Sequence, residues 1–121
     1  MASEKTILYI AILSSEKVPL ADYENRKTSD YDEFLTAIEE SLMKGNRTLA
    51  HNDCMYTYLW DEKLSVYYIA LFTKGFSLKK AMNCLEEVKI EFQKKFKKKK
   101  VKKAKKRAFN IEMQESLKDS V

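Results

Sequence analysis

Two apolar runs rich in aromatic residues, Cys54–Trp60 and Leu64–Phe72, are separated only by Asp61-Glu62-Lys63. A polar linker this short joins neighbouring antiparallel strands, so the spacing predicts a β-hairpin and commits the chain to a sheet. Thr6–Leu13 is a third run, almost continuously apolar. Its lack of alternation predicts a strand covered on both faces, which requires helices on either side of the sheet. Val18–Tyr23 reads as a weaker strand, with Pro19 near its start or at a sheet edge because proline donates nothing to a ladder. Thr48–His51 reads as a short strand that turns at Asn52-Asp53.

Between the strands the apolar period changes from two to 3.6. Ser29 reads as a helix N-cap, with Asp32 as a variant capping-box partner. Tyr31, Phe34, Leu35, Ile38 and Leu42 follow at helical spacing, and Gly45 is expected to stop the helix. Ser77 opens a longer helix whose stripe is Leu78, Ala81, Met82, Leu85, Val88, Phe92 and Phe96. Ala108–Leu117, with Phe109, Met113 and Leu117 four residues apart, predicts a third helix. The order is therefore β-β-α-β-β-β-α-α. It specifies an α+β sandwich: a five-stranded antiparallel sheet, one helix on one face and the later helices on the other. A length of 121 residues makes 1–121 a single domain. Two glycines and one proline exclude a loop-rich chain.

Cys54 and Cys84 are too few for a disulfide framework and read as small buried hydrophobes in a reducing compartment. The N-terminus has no secretory pattern, and no run approaches the ~20 apolar residues of a membrane span. The expected location is the cytoplasm.

Catalytic chemistry finds no foothold. His51 is the only histidine, neither cysteine has metal-ligand spacing, and Gly45 and Gly75 are isolated rather than part of a phosphate loop. Asp30, Asp32 and Glu33 sit at a helix start, where acids complement the dipole without any catalytic role. A non-enzymatic protein with no cofactor and no metal is expected.

Charge is divided unevenly. Residues 1–93 carry 11 Lys/Arg against 15 Asp/Glu, whereas residues 94–121 carry 12 against 3. Within 94–107, 11 of 14 residues are basic, interrupted only by Phe96, Val101 and Ala104. Such a segment can be a solvated helix end and linker, a nuclear-import signal, or a surface for anionic lipid formed by Lys97, Lys98, Lys99, Lys100, Lys102 and Lys103. Nucleic acid is disfavoured: stacking aromatics are not interleaved, arginine is nearly absent, and the body is acidic.

Met55-Tyr56-Thr57-Tyr58-Leu59 with Asp61-Glu62-Lys63, then Phe76, Ala81-Met82-Asn83-Cys84-Leu85-Glu86-Glu87-Val88 and Phe92, then Ala108-Phe109-Asn110 with Met113 and Leu117, resemble the longin domain of longin-type synaptobrevins, the vesicle R-SNAREs. The match is strongest from Cys54 onward and poor over 14–30. It implies a longin/profilin-like fold that regulates vesicle traffic and membrane fusion at the cytosolic face of vesicles or endomembranes. It also implies a groove between the first helix and the third strand. That groove would hold the protein's own SNARE helix, in cis or in trans, or a trafficking adaptor. Carried over by position, its lining is Leu35, Ile38, Leu42, Arg47 and Leu49. Three alternatives stay open: an excised SNARE head, a stand-alone longin protein, or a longin-fold subunit of a tethering or coat complex. Partner, organelle, oligomeric state and resting state, open or closed, are not legible in the sequence.

Overall fold

A computed structural model of the chain describes residues 6–26, 31–42, 45–51 and 53–121. Five strands, β1 (Ile7–Ser14), β2 (Pro19–Glu24), β3 (Asn46–His51), β4 (Cys54–Asp61) and β5 (Val66–Thr73), form one sheet in the order β2-β1-β5-β4-β3. Every pairing is antiparallel. All residues from Val66 to Phe72 in the central β5 are buried. Successive side chains alternate between two cores, as strand geometry demands. Val66, Tyr68, Ala70 and Phe72 enter one core, while Tyr67, Ile69 and Leu71 enter the other. A strand buried on both faces therefore reads as an unbroken apolar run, and the sandwich expected from that run is the observed fold.

The first core lies under α2 (Leu78–Lys95), α3 (Lys98–Lys102) and α4 (Asn110–Ser120). Ser77 caps α2 by accepting from the Lys80 backbone N–H at 3.3 Å, a bond of the kind worth ~1 kcal/mol. Ala81, Cys84, Leu85, Val88 and Phe92 are the buried face of α2, and Lys94 and Lys95 lie in its last turn, where cations suit the dipole. The second core is closed by α1 (Tyr31–Ile38) and a 3-10 turn, Glu39–Ser41. Tyr9 stacks on Tyr31 with 4.4 Å between centroids, and Phe34 meets Tyr56 edge-on at 5.6 Å.

Several boundaries differ from the sequence reading. The first helix does not run to Gly45. It tightens after Ile38, and Leu42 has extended backbone (φ −76°, ψ 118°) while remaining buried. Gly45 instead leads into β3, where its φ of 112° is open to glycine alone at little cost. Ser29 and Asn52 lie outside the described residues. The hairpin turn is longer than three residues, with Ser65 left-handed at φ 56° and β5 starting at Val66. Leu64 is buried within that turn, so its apolarity reflects packing and not strand membership. Asp61 ends β4 instead of standing in a solvated loop. It is 2% exposed and accepts from the Leu64 backbone N–H (3.2 Å), the Tyr68 hydroxyl (2.6 Å) and Gln93 Nε2 (2.9 Å). Phe96 continues the α2 stripe spatially but has left the helix, at φ −132° and ψ 143°. The third predicted helix starts at Asn110 rather than Ala108, and the lysine run contains a short helix, α3, that the periodicity did not predict.

Candidate functional site

Three regions carry the polar chemistry. The first is the β3 edge. β3 ends the strand order, and among the described residues no segment pairs with its outer side. Leu49 is half-buried against the α1-side core. Strand alternation therefore puts Arg47 and His51 on that same side, and the ring of His51 lies 5.1 Å from that of Phe34. Thr48 points the other way, 3.1 Å from the Thr57 hydroxyl. The end of the 3-10 turn is pinned to β4: the hydroxyls of Ser41 and Tyr56 share a 2.7 Å bond, and the Tyr58 hydroxyl donates to the Ser41 carbonyl at 3.1 Å.

The five residues expected to line one groove are not equivalent. Arg47 is exposed and Leu49 half-buried on β3, whereas Leu35, Ile38 and Leu42 are buried at 7%, 2% and 5% exposure. Ile38 and Leu42 belong to the core beneath α1. Leu35 borders a depression with Val18, Pro19, Thr36 and Lys106, on the β2 side of the helix. Of the five, only Arg47 and Leu49 reach the surface at β3, on the same side as His51, a residue that the spacing does not single out.

The second region seals the opposite edge. The Arg107 N–H donates to the Pro19 carbonyl at 2.7 Å, and the Phe109 N–H to the Leu20 carbonyl at 2.9 Å. Asn110 Oδ1 accepts from the Asp22 N–H (2.7 Å), and Gln114 Nε2 donates to the Asp22 carbonyl (3.0 Å). The Asp22 carboxylate, only 7% exposed, takes Tyr9 Oη at 2.6 Å, Arg107 Nε at 3.1 Å and Asn110 Nδ2 at 3.0 Å. Arg107 also binds the Asp32 carboxylate at the start of α1. This hydrogen bond holds the Asp32 pKa below its ordinary value, although partial burial works the other way. For Arg107, burial opposes the charge, but Asp32 and Asp22 outweigh it and raise the pKa. Burial, reinforced by Asp22, pushes the Tyr9 phenol far above its usual range. The contacts from residues 107–114 to β2 span more than 80 residues of sequence and left no local signal; only the apolar Phe109 pointed toward docking here.

The third region is the lysine run, which is docked rather than trailing. Phe96, Val101 and Phe109 are 2–3% exposed, and the Phe96 and Phe109 rings stack with 4.0 Å between centroids. The Lys100 ammonium lies 5.3 Å above the Phe96 ring. Lys97, Lys98, Lys99, Lys100, Lys102 and Lys103 are all exposed but do not share one surface. Lys98 and Lys102 border a depression with Ser14, Ser15 and Ser65, whereas Lys97, Lys99, Lys100 and Lys103 border another with Lys95.

Among the described residues, no three His, Cys, Asp or Glu side chains gather in a way that could hold a metal, and no helix is long and apolar enough to cross a membrane. Both cysteines are free; Cys54 is half-buried, and burial pushes the Cys84 thiol up to about 12.

Five antiparallel strands sheathed by helices on both faces, with β3 at a sheet edge and one docked cationic segment, define a small α+β domain. The sequence profile of the longin family, a regulated-SNARE-like domain, matches residues 20–117, and the chain belongs to that family. No curated protein matches the chain. Membership places it among the regulatory domains of SNARE-dependent membrane traffic.

Proposed function

We propose that this longin domain is the regulatory head of a vesicle SNARE, working at the cytosolic face of vesicles or endomembranes. It binds its own SNARE helix, or a trafficking adaptor, beside α1 and β3 and releases it when fusion is required. The supporting observation is the asymmetry of the sheet: residues 107–110 cover the β2 edge, while β3 ends the strand order with Arg47, Leu49 and His51 on one of its faces. An edge of this kind accepts an extended partner segment through main-chain bonds, and its side chains set selectivity. Leu35, Ile38 and Leu42 then act from below by holding α1 in place. The role is binding, with no catalytic step.

Fluorescence anisotropy with a SNARE-helix peptide tests this reading. Leu49→Ser and Arg47→Glu should each weaken binding about tenfold, roughly 1.4 kcal/mol, with the melting temperature nearly unchanged. Unaltered affinity in both variants would sink it. If adaptors bind through β3 while SNARE peptides do not, the chain is a tethering or coat subunit. In a second role, supported by the outward lysines of the docked segment, the domain is drawn to an anionic leaflet. Each basic group near such a surface contributes about 1 kcal/mol.

A further inference from the structure

We propose that Lys95, Lys97, Lys99, Lys100 and Lys103 form a seat for a membrane-lipid headgroup carrying two or more phosphate monoesters. The proposal rests on the reading that the lysine face meets an anionic leaflet, and it adds selectivity to that attraction. The five side chains surround one open, shallow depression of about 490 Å³. A flexible lysine tail would offer only diffuse charge. Here the backbone is fixed on both sides of the depression. The Lys100 and Val101 N–H groups donate to the Lys97 carbonyl at 3.0 and 3.1 Å, Val101 is buried, and Phe96 and Phe109 clasp the ends.

The charge is also available. Among the described residues none of the five pairs with a carboxylate, whereas Lys94 lies 3.6 Å from Glu91 and Arg107 is engaged by Asp22 and Asp32. Lys95 bonds to the Glu112 carbonyl (2.9 Å) and Ser116 Oγ (3.3 Å), which orients its ammonium without neutralising it. Each phosphate monoester carries about −1.5 to −2 charge at neutral pH, so two or three match five ammonium groups, whereas a singly charged headgroup does not. Lysine serves phosphate as a point charge and imposes no bidentate geometry. Nucleic acid fits poorly, because Phe96 and Phe109 are buried and cannot stack on bases. A lipid source is favoured over a free polyphosphate because the depression is open and Ile111, 91% exposed, adjoins the residue whose carbonyl holds Lys95.

Vesicle co-sedimentation of the whole chain decides the matter. Phosphatidylcholine vesicles containing phosphatidylinositol bisphosphate are compared with phosphatidylserine vesicles of equal surface charge, and with inositol hexakisphosphate and single-stranded RNA as competitors. Bisphosphate vesicles should bind about tenfold more tightly. The double variant Lys99→Gln/Lys103→Gln should lose that preference. Lys98→Gln/Lys102→Gln, with the same loss of charge from the neighbouring face, should keep it. Ile111→Ser should weaken vesicle binding while inositol hexakisphosphate affinity stays the same. Equal binding to the two vesicle types, or equal effects of the two double variants, overturns the seat and leaves the general leaflet attraction standing. Absence of binding to any anionic vesicle overturns both. Displacement by RNA at lower concentration than by inositol hexakisphosphate overturns the lipid assignment in favour of nucleic acid.

Discussion

Phe96 and Phe109 lie in van der Waals stacking, their planes 25° apart, although most of the lysine run separates them in sequence. Phe92 completes the group, 4.9 Å from Phe96 and 5.8 Å from Phe109. The stack closes a loop of like charges on itself, and apolar burial must overcome that repulsion. Phe96→Ala should therefore cost about 3–5 kcal/mol, typical of a phenylalanine lost from a core. Thermal unfolding followed by circular dichroism should show a fall of roughly 10–20 °C. A change of only a degree or two would mean that the rings pack without clasping the segment.

Tyr9→Phe tests the Asp22 junction. The substitution keeps the ring on Tyr31 but removes a donor from a nearly buried carboxylate, an expected loss of about 1–3 kcal/mol. Arg107→Ala draws on the same oxygen, so the two changes should be non-additive in a double-mutant cycle of denaturant midpoints. Strict additivity would show that Tyr9 and Arg107 do not act through Asp22.

Acid sensitivity should reside partly in Asp32. Its carboxyl pKa is depressed below 3.8 in the folded chain by the Arg107 hydrogen bond. The ionised form is thus favoured by folding. The contribution is present above the unfolded value near 3.8 and is lost as pH falls through the depressed one. With the Asp32 side chain 56% exposed, the effect is expected to stay under about 1 kcal/mol. Melting temperatures of the wild type and Asp32→Asn should differ by a constant amount above about pH 5 and converge below pH 3.8. A gap that widens in acid contradicts the assignment.

The two thiols should react in sequence. Burial raises both, and Cys84 also feels Glu87, reaching about 12. At pH 8 a disulfide reagent should label half-buried Cys54 first and Cys84 only as the domain opens. Because folding keeps the Cys84 thiol protonated, stability should decline as pH rises from about 9 to about 12. Simultaneous labelling at equal rates would show that the Cys84 site is open to solvent.

Elements whose apolar period is local and repeated were legible in the sequence. The hairpin, the buried β1 and the long α2 stripe each carry many residues that agree on one structure. Elements decided by a single distant contact were not. α3 is anchored by Val101 alone, and the 107–110 segment is held by bonds to Pro19, Leu20 and Asp22 that no nearby residue announces. The groove residues expose the same weakness. Helical spacing identified Leu35, Ile38 and Leu42 as one face, but periodicity does not distinguish a face turned to the core from one turned to a partner. Only the position of β3 at the end of the strand order separates Leu49 from them.

A sheet has two rims, and in this protein Arg107 to Asn110 occupy one of them. If β3 takes a partner strand as proposed, the domain is univalent toward extended chains. A guest strand at β3 would end the stack of strands, because the other rim is already covered by residues 107–110. Capture at high local concentration, such as on a crowded vesicle, then yields pairs of fixed stoichiometry rather than filaments.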